Sequence, residues 1–186
     1  MKKKIALSVL VVFGAAYACA RSLAKDMRPL EVVPEVDLER YAGRWFEIAR
    51  LPNRFEKNCA SDVTADYTPR ADGEINVVNQ CRERGGRLRK AEGRARRASE
   101  DGPSAKLKVR FAPGYLKFLP FVWGDYWVVD LAPDYSHAVV GDPGRDYLWV
   151  LARTPRMSEE AYRAALVRAE SQGFDVSRLI KTPHAP

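Results

Sequence analysis

The 186-residue chain has no uninterrupted apolar run long enough to cross a bilayer as a helix. Spanning takes roughly 20 consecutive apolar residues. Even "YLKFLPFVWGDYW" at 115–127 is cut by Lys117, Pro120 and Gly124. Reactive groups are scarce too. There are two histidines, His137 and His184, and no Gly-x-Ser-x-Gly elbow, Ser-His-Asp order or clustered metal spacing accompanies them. Covalent catalysis needs a nucleophile paired with a base, so the residues point to binding rather than chemistry. An obvious axial ligand for haem is also missing, and neither a cofactor nor a metal is expected. No segment repeats and none is of low complexity. Asp142 and Asp146 flank "GDPGRD", where a turn role is expected.

What is present begins with a leader. Lys2, Lys3 and Lys4 precede the apolar run 5–13, and Gly14, Ala15, Ala16 and Ala18 follow it. A basic start, an apolar centre and a small-residue cleavage zone make a bacterial secretory signal over 1–18. "AYAC" fits ordinary signal peptidase and also resembles a lipobox, in which Cys19 takes diacylglycerol and becomes the mature N-terminus. Of the three cysteines, Cys59 and Cys81 are expected to pair in an oxidising compartment, which leaves Cys19 over for lipidation. Loss of 1–18 removes three lysines and no acidic residue, lowering the formal charge from +7 to +4. The cationic cluster from Arg82 to Arg97 reads as solvated strand faces, with anionic headgroups as the alternative partner. Nucleic acid is not expected, since no recognition motif accompanies the charge.

Residues 19–36 read as a tether, and the domain is expected over 37–182. Asp37 can cap a single helical turn, "DLERYAG". Segments of period-two alternation follow, separated by turn residues, and predict strands at 44–51, 60–68, 74–82, 87–97, 105–111, 125–131, 137–141 and 147–153. Leu107, Val109 and Phe111 share one face, as do Tyr147, Trp149, Leu151 and Arg153. A hairpin turning at "TPRAD" would set residue 59 opposite 81 and put Cys59, Val63 and Tyr67 on one face with Ile75, Val77 and Cys81. A helix follows, capped by Ser158 and stopped at Gly173, with Ala161, Tyr162, Ala165, Leu166 and Ala169 as its apolar stripe. "FDVSRLI" reads as a last short strand. The expected fold is all-β: an eight-stranded antiparallel up-and-down barrel with an N-terminal helical turn and one C-terminal helix outside.

Three blocks carry a family resemblance. "YAGRWFEIARLP", with Gly43-x-Trp45, resembles the lipocalin signature. "YWVVDLAPDYSHAVVG" at 126–141 resembles the second lipocalin block, and "YLWVLARTP" at 147–155 the third, with Arg153 placed to pack over Trp45. The wording of "RYAGRWFEIARLPNRFE", "GRDYLWVLARTP" and "QGFDVSRLI" is similar to that of the bacterial lipocalins. The resemblance implies an outer-membrane lipoprotein, lipid-anchored and periplasm-facing, that binds lysophospholipids or fatty acids, and it makes a homodimer an option. A soluble periplasmic protein is the alternative location. A lipocalin-fold enzyme acting on a small hydrophobic substrate, or a haem or bilin carrier, is the alternative function.

Gly43, Trp45 and Arg153 are expected to be structural, plugging the narrow end through a stacked guanidinium. Trp149 is expected to point inwards above that plug. Phe111, Tyr115, Trp123 and Tyr126 are expected to line or rim the mouth. For the connection 115–123 two readings stay open: an extension of the cavity mouth, or an apolar patch for a second subunit or a membrane.

Overall fold

The computed structural model describes residues 28–112, 114–116 and 118–185; Cys19, the leader and the first part of the tether lie outside them. Asp37 caps α1 (Leu38–Tyr41), its carboxylate accepting from the Glu39 and Arg40 amides. Eight strands follow: β1 (Gly43–Arg50), β2 (Cys59–Pro69), β3 (Ile75–Glu83), β4 (Leu88–Arg97), β5 (Lys106–Arg110), β6 (Gly124–Leu131), β7 (His137–Gly141) and β8 (Leu148–Ala152). Each expected strand is present within a residue or so of its expected ends. Every neighbour pair is antiparallel, and β1 pairs with both β8 and β2, which closes the barrel and leaves no edge among the eight.

Alternation decides the two faces. Tyr67, Ile75, Val77, Ala95, Val128 and Leu151 point into the barrel around Trp45. Ala49, Val129, Val139, Leu148 and Val150 point outwards and are buried by α2 (Glu159–Ser171) through Tyr162, Ala165 and Ala169. The Ser158 hydroxyl accepts from the Ala161 amide at the start of α2. Ala49 and Val150 on β1 and β8 are thus covered on the outside while Trp45 and Leu151 of the same strands face in.

Three expectations need correction. The β2–β3 turn lies at 70–74, with Pro69 opposite Ile75 and Tyr67 opposite Val77, four places from the expected register. Gly73 adopts φ +76° there, and the Asp72 carboxylate accepts from the Glu74 amide, so the Asp-Gly pair selects the turn. An even shift keeps the side-chain parity, so the inward faces were assigned correctly. Two irregularities in β2, between Cys59 and Thr64, then bring Cys59 diagonally against Cys81, and the two form a disulfide with Cα atoms 5.6 Å apart. The tail "FDVSRLI" is mostly a 3-10 turn at Val176–Arg178, and only β9 (Ile180–Lys181) pairs, on the stretch of β1 that β2 has left. Residues 28–36, at the end of the supposed tether, lie on the barrel: Leu30 and Val36 are buried, and the Val33 amide donates to the Val128 carbonyl.

A closed barrel end, an open end and the cavity between them

The closed end is built on Trp45, which is fully buried. Its indole Nε1 donates to the Tyr41 carbonyl at 2.8 Å, and the Arg153 guanidinium stacks 3.9 Å from its ring. The same guanidinium donates to the carbonyls of Arg40, Ala42, Arg44 and Tyr135. Gly43 enters β1 at φ +87° with Arg153 against it, a conformation that strains any residue with a Cβ. Every polar group of this plug is turned to the backbone, as expected of structural residues.

Above the plug lies a cavity of about 650 Å³. That volume is within the roughly 300–1,000 Å³ of small-molecule sites. Its walls are mainly apolar, with Val63, Ile75, Val77, Ala95, Leu107, Val109 and Leu151 on the lining and Thr64, Asn79 and Gln80 among them. The disulfide sulfurs belong to the same wall, because Cys59 and Cys81 both face in.

At its floor three tyrosines meet. The Tyr126 hydroxyl is 2.9 Å from that of Tyr41 and 3.0 Å from that of Tyr67. Burial pushes the Tyr67 hydroxyl up to about 12, and burial also raises Tyr41 and Tyr126. All three therefore remain protonated donors at neutral pH.

The mouth is different in kind. Trp149 lines it, stacked 5.9 Å from Tyr147, and its Nε1 donates to Glu56 at 3.1 Å. Glu56 also accepts from Asn53 at 2.5 Å and lies 3.7 Å from the Arg50 guanidinium. Arg50 in turn makes a buried ion pair with Glu47 at 2.5 Å. The Thr182 hydroxyl donates to the same carboxylate. Burial, and then the Glu56 charge, push the Glu47 carboxyl up, while Arg50 opposes them. The tail holds this cluster from outside: the Thr182 amide donates to the Ile48 carbonyl and the His184 ring to that of Glu47. Arg54, Arg89, Asp125 and Asp142 add charge of both signs to the lining. Asp142 also has the expected turn role, accepting from the amides of Gly144, Asp146 and Tyr147.

The expected site residues separate along the barrel axis. Trp149 faces inwards near the mouth. Phe111 lines the mouth, half exposed, and lies so close over Gly93 that a Cβ there would meet its ring at 2.7 Å. Trp123 lines it too, with the Arg96 guanidinium 4.3 Å from its ring. Tyr126 lies at the floor rather than the rim, because its ring reaches down from the third residue of β6. Tyr115 is 75 % exposed and is not among the described residues on the lining. The connection folds into two 3-10 turns, Gly114–Leu116 and Pro120–Val122; Phe118 is 74 % exposed and off the lining, whereas Phe121, 80 % exposed, borders the mouth.

Sequence reading missed Tyr41, Glu47, Arg50 and Glu56. The available signal was parity, since Glu47 is two residues from Trp45 and so shares its inward face. In the cationic cluster at 82–97, Arg87 pairs with Glu83 at 2.5 Å around the β3–β4 turn, Lys90 with Glu92 at 2.7 Å along β4, and Arg82 with Asp62 of β2 at 3.5 Å. Among the described residues no group of His, Cys, Asp or Glu is arranged to hold a metal, and no helix is long and apolar enough to cross a membrane.

Comparison with known proteins agrees with this architecture. The family model described as "Lipocalin-like domain" matches residues 36–184. The chain is 42% identical to outer membrane lipoprotein Blc of Escherichia coli (strain K12) over 173 residues, 92% of this chain and 93% of that one. It is 44% identical to temperature-induced lipocalin-1 of Arabidopsis thaliana over 161 residues, 86% of each. Among solved structures, insecticyanin from the tobacco hornworm superposes with a TM-score of 0.67 at 21% identity, over 84% of this chain and 85% of that one.

Proposed function

The chain belongs to the lipocalin family, and on that premise we propose that it binds single-chain lipids, lysophospholipids or fatty acids, and stores or ferries them at the bacterial outer membrane. The observation that carries this reading is the cavity: plugged at one end, mainly apolar along its walls and charged at its mouth. Such a shape suits an acyl chain with a polar head. Burying the chain is worth about 0.8 kcal/mol per methylene. Arg54 and Arg89 offer cations, and Glu56 and Asp142 offer anions, to a charged or zwitterionic headgroup. No catalytic role is proposed for any of them.

Attachment through Cys19 is part of the same proposal. The similarity to outer membrane lipoprotein Blc supports it, as does the small-residue stretch before the cysteine. Stable anchoring by acyl chains takes two or more of them, which lipoprotein processing supplies. The exposed Phe118 and Phe121 rings further support contact between two copies through the 115–123 connection.

Delipidated protein carrying Cys19→Ser should bind lysophospholipid and fatty acid at micromolar concentration or better in calorimetric titration. Absence of binding to every single-chain lipid at that concentration would overturn the reading whatever the fold. Native mass spectrometry of protein purified from its own envelope then identifies the ligand. In the same cells Cys19→Ser should move the protein from the membrane to the soluble periplasm. A wild-type protein already soluble, with an unmodified Cys19 at its N-terminus, would refute the anchor.

A further inference from the structure

The cavity floor is polar where a simple hydrocarbon site would be greasy. Tyr41 comes from α1, Tyr67 from β2 and Tyr126 from β6, and their hydroxyls meet on the cavity lining directly above Trp45. Each hydroxyl has one proton to donate. The two contacts, Tyr126 to Tyr41 and Tyr126 to Tyr67, consume two of the three. If Tyr126 accepts from both partners, its own proton is left over; if it donates to one, that partner's proton is left over. Every arrangement leaves one O–H with no acceptor in the cluster, and no other hydrogen bond from these hydroxyls exists among the described residues. A buried donor without an acceptor is costly, and the neighbouring wall residues Ile75, Val77, Ala95 and Leu107 carry no polar side-chain atom.

We propose that the Tyr41–Tyr67–Tyr126 floor is a hydrogen-bonding subsite for an oxygen carried near the buried end of the ligand, so that the cavity selects oxygenated acyl chains over plain ones. The proposal rests on the lipid-binding reading above. The oxygen is neutral, a hydroxyl, ketone or ether. A carboxylate there would need a cation, and the nearest guanidinium, Arg153, lies on the plug and is already bonded to four carbonyls. The ionic head is matched at the other end, by Arg54 and Arg89. A hydroxyl suits the floor especially, since it accepts the spare proton and donates its own to a tyrosine oxygen with a free lone pair. Sites built to hold a hydroxyl discriminate strongly against the analogue that lacks it, because their own polar groups are then left unpaired.

The test compares hexadecanoic acid with hydroxyhexadecanoic acids whose hydroxyl is moved along the chain, by calorimetric titration of delipidated protein with Cys19→Ser. A purely apolar floor makes every hydroxyl weaken binding. The proposal expects the opposite: at least one isomer hydroxylated in the distal half binds fivefold or more tighter than hexadecanoic acid, while the 2-hydroxy isomer does not. In the triple variant Tyr41→Phe, Tyr67→Phe, Tyr126→Phe that preference should be lost, the distal isomers binding no tighter than hexadecanoic acid. Single variants are uninformative, since each leaves at least one spare donor. If the triple variant does not fold, the wild-type ranking decides alone. Distal isomers that bind no better than hexadecanoic acid overturn the subsite and leave the lipid-binding reading intact. Failure of every acid to bind overturns both.

Discussion

The two ends of this barrel use the same residue types for opposite purposes. At the closed end an aromatic ring and a guanidinium stack, Trp45 under Arg153, and every nitrogen of the pair is bonded to backbone. At the open end Trp123 lies beneath the exposed Arg96 as well as the buried Arg110, and the neighbouring rings of Phe118 and Phe121 are exposed, Phe121 at the mouth itself. The difference is one of partners. Where backbone carbonyls surround the cation, cation–π attraction becomes part of the core and can be worth about 2 kcal/mol. Where solvent surrounds it, the same pair contributes less and leaves surface for something else to cover.

Mutation should therefore separate the ends by what is lost. The largest effect is expected at the plug. Trp45→Ala should cost about 3–5 kcal/mol of stability, the usual loss for a fully buried aromatic. Denaturant unfolding measures it, and a loss below about 1 kcal/mol would show that the plug is dispensable.

Next comes the open-end disulfide. Cys59→Ala with Cys81→Ala should cost about 3 kcal/mol, from the loop that the bridge closes in the unfolded chain. Thiol titration of the denatured, unreduced domain without residues 1–19 should find neither cysteine free. Two titratable thiols there would remove the bridge from the account of the open end.

Smaller in stability but larger in function is Trp149→Ala. Because Trp149 is half-buried and lines the mouth, its loss should weaken binding of single-chain lipid several-fold while the unfolding midpoint moves less than for Trp45→Ala. Unchanged affinity would make Trp149 ordinary wall. Least disturbing to the fold is Phe118→Asp, at a ring 74 % exposed and off the cavity lining. Unfolding and lipid affinity should be unaltered, and a dimer held by this surface should fall to monomer in light scattering. A mass that stays dimeric would assign the contact elsewhere.

Much of this was legible without coordinates. Turn residues and period-two alternation located eight strands, since a half-buried strand cannot hide its period. Ser158 and Gly173 located the helix ends, because capping chemistry is local. Even the wrong β2–β3 register kept Tyr67 inwards, since a shift of four preserves parity. Phe111 and Trp149 were placed on the lining by the same alternation.

Only the tertiary structure decided what meets across the barrel. Tyr41, Tyr67 and Tyr126 are separated by 26 and 59 residues and belong to three elements, so no local pattern announces that their hydroxyls share two hydrogen bonds. Tyr126 was expected at the rim because its strand begins there, but its hydroxyl meets those of Tyr41 and Tyr67 at the floor. Glu47 and Thr182 are 135 residues apart, and their contact depends on the tail returning to the edge of β1 that β2 abandons. The 115–123 connection is apolar in sequence whichever way it folds. Periodicity records which face a side chain takes, a property of a few neighbouring residues, whereas depth, register and cross-barrel pairing depend on how the sheet closes on itself.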